Sequence, residues 1–203
     1  MAALAAESAR DRILSAAGDL FYEYGFHAVG IDLIIERAGV AKATLYRHFR
    51  TKDDLIAAYL DVADTRFWDW FDRALNPAAA PTDSLTRLFD AVGELASSPT
   101  CLGCTFQASA AEFPDRSHPG HAVALAHKDA VRTRLRDLAE AAGADRPEDL
   151  ADALLLIMDG AFAATRMYGP DNPGRRAGDA ARALIAAHTG ARSASSPSRR
   201  RAP

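Results

Sequence analysis

Apolar side chains recur every three or four positions along most of this chain, with polar side chains between them. This period is typical of α-helices with one buried face, whereas the alternating β-branched runs typical of strands are missing. The first stripe predicts a helix that Ser8 and Asp11 cap at its start and Gly25 ends. We therefore predict an all-α fold. The apolar positions of this first stripe are Ile13, Leu14, Ala17, Leu20, Phe21 and Tyr24.

The same pattern predicts two short helices followed by six longer ones. Gly39 permits a sharp turn between the short helices, and Thr51 caps the first long helix, with Asp53 and Asp54 in its first turn. Prolines and glycines, which are poor inside helices, mark the later breaks. The predicted ranges are about 31–38 and 42–49 for the short helices, then about 52–75, 82–96, 103–113, 121–142, 147–168 and 175–188.

These helices suggest two domains and a tail. Residues 1–51 form a predicted three-helix domain that contains the helix-turn-helix, and residues 52–190 form a larger predicted helical domain. The helix from Lys52 would join the two domains without a flexible linker. Residues 191–203 are rich in Arg, Ser and Pro, a composition that favours a disordered tail.

Composition narrows the class of protein. The chain has 203 residues, of which 49% are hydrophobic and 25% charged, as in ordinary globular proteins. Its formal net charge is −3, so a nucleic-acid surface would have to come from local placement of basic residues. The first twelve residues lack the leader of a signal peptide, no stretch reads as a membrane span, and two cysteines fit a reducing compartment. We expect a cytoplasmic protein with no membrane partner.

The segment from Gly39 to Leu55 points to a function. It predicts a turn, a short helix and the capped start of a longer helix. Leu45 and Phe49, four positions apart, would anchor the short helix, which leaves its other face to side chains suited to phosphates and base edges. The DNA-binding candidates on this helix are Lys42, Thr44, Tyr46, Arg47 and His48.

The spacing within this segment is specific. Gly39 is followed by the run Leu45-Tyr46-Arg47-His48-Phe49 and then by Lys52-Asp53. This turn glycine, Leu-Tyr-x-x-Phe run and Lys-acid pair resemble the TetR/AcrR family of bacterial transcriptional regulators, over roughly the first quarter of the chain. Two places depart from the family pattern: Val29-Gly30 stands where Thr or Ser usually precedes the second helix, and Ala41 stands where Ser usually precedes Lys42.

The resemblance implies a homodimer in which each subunit places its third helix in the major groove of a palindromic double-stranded DNA operator. It also implies a repressor whose larger domain binds a small molecule that weakens DNA binding. By position in the motif, Lys42 and Lys52 would contact phosphates, and Thr44 a phosphate or a base edge. Tyr46 and His48 would contact the DNA backbone or the bases.

A structural role stays open for several of these residues. Tyr46 could pack on the small core, and Arg47 and Lys52 could be solvated. His48 could cap backbone carbonyls at the helix end. Lys42 stands near the positive end of a short helix, where a cation is unfavourable and an arriving phosphate would offset that cost.

Aromatic and sulfur-containing side chains are numerous enough in the larger domain to line a pocket between helices. Plain core packing accounts for such stripes more often. Few charged residues interrupt them, so we expect an apolar or aromatic effector and no cofactor. The candidate ligand-binding residues are Phe67, Trp70, Phe71, Phe106, Phe113, Met158 and Phe162.

The pair Cys101 and Cys104 supports an alternative, a thiol- or metal-responsive switch completed by His118, His121 or Glu112. Two thiols supply only half of a tetrahedral metal site. Cys104 could instead be a small apolar residue inside a helix, with Cys101 in the loop before it. We recognise no nucleophile–base pair and no full ligand set, so we expect neither an enzyme nor a bound metal.

The last two predicted helices suggest how two subunits would meet. The helix at 147–168 is apolar over more than one face, so we expect it to have two partners. The helix at 175–188 is rich in alanine, which permits close approach of a neighbouring helix. These two helices from each of two subunits would form a four-helix bundle, and the fully buried core of a monomer is the alternative.

Overall fold

The computed structural model describes residues 8–190, and every regular element in that range is helical. These residues form nine α-helices, one 3-10 helix and no strand, which confirms the all-α prediction. None of these helices combines the length and the apolar content that a bilayer crossing needs. The predicted tail at 191–203 lies outside the described residues. The helices are α1 (Ala9–Tyr24), α2 (Ile31–Ala38), α3 (Lys42–His48), α4 (Lys52–Ala74), α5 (Pro81–Ala96), α6 (Thr105–Glu112), α7 (Pro119–Ala141), α8 (Pro147–Tyr168), the 3-10 helix Pro173–Arg176 and α9 (Ala177–Thr189).

Two helices begin with the reciprocal side-chain caps that the sequence predicts. The Asp11 N–H donates to the Ser8 hydroxyl oxygen at 3.2 Å, and that hydroxyl donates to the Asp11 carboxylate at 2.6 Å. At α4 the Asp54 N–H donates to Thr51 Oγ1, and the Thr51 N–H donates to the Asp54 carboxylate, both at 3.0 Å. Three of these four bonds satisfy backbone N–H groups at the helix starts, those of Asp11, Thr51 and Asp54, and the fourth joins the Ser8 and Asp11 side chains. They fix the first turn of α4, which carries Lys52.

Packing divides the described chain into two compact units. The first unit contains the residues up to Asp72 together with Leu102–Ala130, and the second contains Arg73–Cys101 together with the residues from Val131 onward. Phe106 of α6 and Ala124 of α7 belong to the same buried cluster as the side chains of the first helices. α6 therefore belongs to the same compact unit as the three predicted helices of residues 1–51. The predicted domain boundary at residue 51 stays a prediction.

The core of the first unit is apolar and rich in rings. Phe21 lies 5.2 Å from Phe26 and 5.8 Å from Tyr59, measured between ring centroids. Leu45 of α3 and Phe106 of α6 join this cluster. Fully burying a side chain of this size contributes about 1.5–3 kcal/mol. Because an isolated helix as short as α3 is marginal in water, this packing is what holds it.

The second unit contains α5, α8, α9 and the 3-10 helix. The carbonyl of Ala96, at the end of α5, accepts hydrogen bonds from the Thr165 hydroxyl at 3.0 Å and from the Asn172 side-chain amide at 2.8 Å. Both side chains are buried. The Asn172 side-chain oxygen also accepts the Gly174 N–H at 2.7 Å, which fixes the start of the 3-10 helix.

Several helix ends differ from the sequence prediction. α5 and α7 begin at Pro81 and Pro119, because proline is favoured at the first position of a helix. The last predicted helix is divided into the 3-10 helix and α9. α6 begins at Thr105 rather than at Gly103, since Gly103 has a φ of +101°.

A distant hydroxyl group explains the late start of α6. The Tyr22 hydroxyl accepts the Leu102 N–H at 2.8 Å and donates to the Gly103 carbonyl at 3.2 Å. These bonds hold the two residues in a non-helical connection. Cys104, which we predicted inside the helix as a small apolar residue, is therefore the extended residue before it.

Candidate DNA-binding site

α2 and α3 are joined by a tight turn at Gly39. Gly39 has φ +62° and ψ 42°, the left-handed conformation that favours glycine. Its N–H donates to the Glu36 carbonyl at 3.2 Å, and the Val40 N–H donates to the Ile35 carbonyl at 3.3 Å. Ala41 then precedes α3 without a side-chain cap, as its identity predicts. The connection is short enough to fix α3 beside α2.

α3 has one buried and one exposed face. Leu45 is fully buried and Phe49, directly after the helix, is 4% exposed, as the sequence predicts. The Arg10 guanidinium covers the Phe49 ring at 5.5 Å from its centroid. The polar candidates lie on the other face: Lys42, Tyr46, Arg47 and His48 are exposed, and Thr44 is half-buried.

The exposed face leaves its side chains accessible to a partner. Tyr46 is 42% exposed, so the core does not enclose its ring. Arg47 and His48 are exposed, and the His48 ring lies 6.4 Å from the Phe49 ring. Contact of these side chains with DNA stays a prediction.

The two lysines of this segment differ in their surroundings. The Lys42 ammonium donates to the Asp32 carboxylate at 3.0 Å, and this hydrogen bond raises the pKa of Lys42. Partial burial lowers the pKa of Lys52, an effect that the Glu112 and Asp53 carboxylates oppose. Lys42 thus already has an anionic partner, with which a DNA phosphate would compete.

Two predicted ligand-binding residues touch His127 in the first unit, and two more adjoin them. The His127 imidazole stacks on the Phe106 ring with 3.6 Å between centroids and meets the edge of Phe67 at 4.6 Å. Trp70 and Phe71 lie next to Phe67, at 5.6 and 5.8 Å between ring centroids. Three predicted residues of α4 and one of α6 therefore form one cluster.

The same cluster contains a polar pair that sequence reasoning missed. His127 Nδ1 lies 2.6 Å from Asp64 Oδ1, and the Trp68 indole N–H donates to that oxygen at 3.1 Å. His127 is buried. No local pattern could reveal this pair, because 63 positions separate Asp64 from His127.

The other predicted ligand-binding residues lie elsewhere. Phe113 packs on Phe26 at 5.7 Å and stacks on His118 at 3.9 Å, measured between ring centroids. Met158 and Phe162 are buried on α8, in the second unit. The structure does not place these three in the cluster around His127.

The Cys101 and Cys104 alternative gains no support. Cys101 is buried in the loop before α6 as predicted, and Cys104 is half-buried. Two of the proposed extra ligands bind backbone groups instead: His121 Nδ1 lies 2.8 Å from the Phe113 carbonyl, and the Glu112 carboxylate accepts backbone N–H groups. Within residues 8–190, no group of three or more His, Cys, Asp or Glu side chains is placed to hold a metal ion.

The second unit shows an apolar surface on α8. Leu156, Met167 and Tyr168 of α8 are 72%, 75% and 62% exposed. An open groove runs between α8, the 3-10 helix and α9. Its lining is mostly small and apolar and includes Gly160, Ala161, Ala164, Gly174, Ala177 and Ala180.

A helix, a glycine turn and a second helix with one buried and one polar face define the helix-turn-helix class of DNA-binding proteins. Residues 13–59 match the family model described as bacterial regulatory proteins, tetR family. A crystallised TetR-family transcriptional regulator from Streptomyces coelicolor is 33% identical, with a TM-score of 0.84 over 89% of this chain and 96% of that chain. The chain belongs to the TetR family and is a DNA-binding transcriptional regulator.

Two curated relatives from Mycolicibacterium smegmatis differ in how much of the chain they match. The transcriptional activator FasR is 47% identical over 51 residues, which are 25% of this chain and only 23% of FasR. The transcriptional repressor KstR2 is 26% identical over 181 residues, which are 82% of each chain. The match to the activator is thus short and of higher identity, whereas the match to the repressor covers most of both chains.

Proposed function

We propose that this protein is a homodimeric transcriptional repressor that binds a palindromic operator and is released by a small apolar or aromatic effector. The observation that carries the proposal is the division of α3. Leu45 and Phe49 hold the helix to the core, which leaves Tyr46, Arg47 and His48 on the exposed face of the helix. A DNA major groove is wide enough to admit such a helix. The likeness to KstR2 over most of both chains favours repression.

The proposed DNA contacts fall into two groups. Lys42 and Lys52 would contact phosphates, which supply most of the salt-dependent affinity. Tyr46, Arg47 and His48 would contact the DNA backbone or the base edges, where sequence is read. Thr44, which is half-buried, would contact a phosphate or a base edge.

The dimer would form through α8 and α9. The exposed Leu156, Met167 and Tyr168 give this surface an apolar area that water solvates poorly. The small residues that line the groove between α8 and α9 would let helices of a second subunit approach closely. Two α3 helices about one DNA turn apart would then match the two half-sites of a palindrome.

The effector site that the geometry favours is the ring cluster of Phe67, Trp70, Phe71 and Phe106 in the first unit. The stack of Phe106 on His127 shows that a flat ring fits against this imidazole. A planar aromatic effector that replaced the Phe106 ring would keep that contact. The roles of Phe113, Met158 and Phe162 stay predictions from the sequence.

Selection from a random pool of double-stranded DNA at moderate salt tests the proposal. We expect enrichment of one palindrome with half-sites about one helical turn apart, bound by two subunits in sedimentation analysis. The selected operator then serves to screen small aromatic compounds for release. Enrichment of a single unrepeated site by a monomer would contradict the dimeric repressor. If no sequence is enriched, the free protein does not bind DNA in a sequence-specific way.

A further inference from the structure

The end of α6 is bound to the turn between α1 and α2. Glu112, the last residue of α6, accepts the Phe26 N–H on one carboxylate oxygen at 3.0 Å and the His27 N–H on the other at 2.7 Å. The His27 ring Nε2 donates in return to the Glu112 backbone carbonyl at 2.9 Å. These three bonds join segments that lie about 85 positions apart in the chain.

The turn is shaped around this carboxylate. Gly25 has a φ of +87°, and a Cβ at this position would lie 2.7 Å from Glu112 Oε1. A side chain at position 25 would therefore be strained and would also displace the carboxylate. Residues 28–30 connect Phe26 and His27 to α2, and the Gly39 turn that follows α2 precedes α3.

Neighbouring side chains hold the same end of α6 to the start of α4. The Phe113 ring lies 4.8 Å from the His27 ring and stacks on His118 at 3.9 Å, measured between centroids. His118 Nε2 lies 3.4 Å from Asp53 Oδ1. The residues just before and just after the α2–α3 segment are thus both tied to the end of α6.

We propose that Glu112 is a positioning residue for operator binding, which sets the placement of α2 and α3 relative to α6 through the backbone of Phe26 and His27. The inference rests on the proposed function, because its main readout is operator affinity. Hydrogen bonds from N–H groups to an ionised carboxylate are stronger than neutral ones, and a half-buried carboxylate keeps more of that strength than an exposed one. A shift at the end of α6 would move the turn between α1 and α2 and, with it, α2 and α3.

The change Glu112→Gln tests the proposal with the shape of the side chain conserved. A glutamine amide can accept one of the two N–H groups but presents its own N–H₂ to the other. We expect amide hydrogen exchange at Phe26 and His27 to become at least about tenfold faster. Operator affinity should fall by about threefold to thirtyfold.

The salt dependence separates positioning from direct electrostatics. Because Glu112 makes no phosphate contact in this proposal, the slope of log affinity against log salt should not change. Glu140→Gln, on an exposed position of α7, removes the same charge and should change neither exchange nor affinity. His27→Ala removes the reciprocal bond and should weaken operator binding in the same direction as Glu112→Gln, by a smaller factor.

The outcomes are distinguishable from a failure of the proposed function. If the wild-type protein selects no operator, the proposed function fails, and the exchange rates at Phe26 and His27 alone decide whether Glu112 holds the turn. If the wild type binds and Glu112→Gln binds equally well, the positioning role is wrong. Tighter binding with a changed salt slope would likewise overturn it, because the carboxylate would then act only by its charge.

Discussion

α3 and α8 expose opposite kinds of surface. α3 has seven residues, buries Leu45 and exposes almost only polar side chains. α8 has 22 residues, buries one apolar face and exposes large apolar side chains on another, with Leu156 at 72%. A short polar helix is too weak to fold alone, and an apolar exposed face is unfavourable in water. The exposed surface of each helix therefore indicates the kind of partner that would cover it.

The chemistry of the two surfaces matches two different partners. Lys42, Arg47 and Lys52 suit an anionic polymer whose affinity depends on salt. The exposed face of α8, with small residues in the adjoining groove, suits a second apolar helix pair. Substitutions on α3 should change DNA binding while leaving association intact, and substitutions on α8 should change association first.

The largest expected effect comes from Leu45→Ala. Removing a fully buried leucine side chain costs about 2–5 kcal/mol of unfolding free energy, so the first unit should melt earlier and operator binding should be lost. Tyr46→Ala is the matched control on the exposed face. It should leave the unfolding free energy within about 0.5 kcal/mol and weaken only DNA binding. Thermal melts and DNA titrations check both variants. Equal losses of stability would contradict the division of α3 into a buried and an exposed face.

Leu156→Arg should give the next largest effect. A charge on the exposed face of α8 would oppose helix–helix contact, so we expect monomers at concentrations where the proposed wild-type dimer would form. Operator affinity should fall by about a hundredfold or more, because one half-site is then lost. Leu125→Arg places the same change on an exposed leucine of α7 and should leave the dimer intact. Sedimentation velocity measures the oligomeric state of both variants. If Leu156→Arg remains a dimer, this face of α8 is not the dimer interface.

Lys52→Ala should produce a smaller and more specific change. We expect the slope of log affinity against log salt to fall by about one unit, because one phosphate contact is lost. Lys128→Ala on α7 should leave the slope unchanged. An unchanged slope for Lys52→Ala would remove Lys52 from the phosphate contacts.

The pH dependence of the salt slope distinguishes the two lysines. Burial lowers the pKa of Lys52, whereas the bond to Asp32 raises that of Lys42. As the pH rises into the range where lysine side chains titrate, Lys52 should therefore lose its proton and its proposed phosphate contact before Lys42 does. In Lys52→Ala the slope should stay constant over more of this range than in the wild type.

The smallest expected effect is a gain in operator affinity. Asp32→Asn removes the carboxylate that holds Lys42 and also removes a negative charge near the proposed DNA surface. Because exposed ion pairs are weak, we expect operator affinity to rise only about twofold to fivefold. Asp83→Asn, in the first turn of α5, makes the same change of charge and should have no effect. Equal effects of the two variants would show that only net charge matters.

Local patterns predicted the features whose causes are local. The Thr51 and Asp54 cap, the Gly39 turn and the Leu45 and Phe49 pair each act within a few residues. The predicted start of α6 was wrong because the Tyr22 hydroxyl accepts the N–H of Leu102, 80 positions away, in the connection before α6. Side-chain bonds of this range leave no periodic signal in a sequence.

The candidate sites were predictable to different degrees for the same reason. The exposed face of α3 follows from one short motif, so its polar residues could be named in advance. The proposed effector site depends on which helices meet, so rings such as Phe106 and Phe113 looked equivalent in the sequence. Folding placed Phe106 on His127 and Phe113 on His118. Neither contact could be inferred from spacing.

The two-anchor attachment of α3 has a consequence for how such a protein can change its target. Leu45 and Phe49 carry the fold of the helix, so positions 44, 46, 47 and 48 are open to variation at little cost in stability. A library randomised at those four positions should contain many folded members with new operator preferences. The helix proposed to bind DNA would then also be one whose exposed positions can be substituted without loss of the fold.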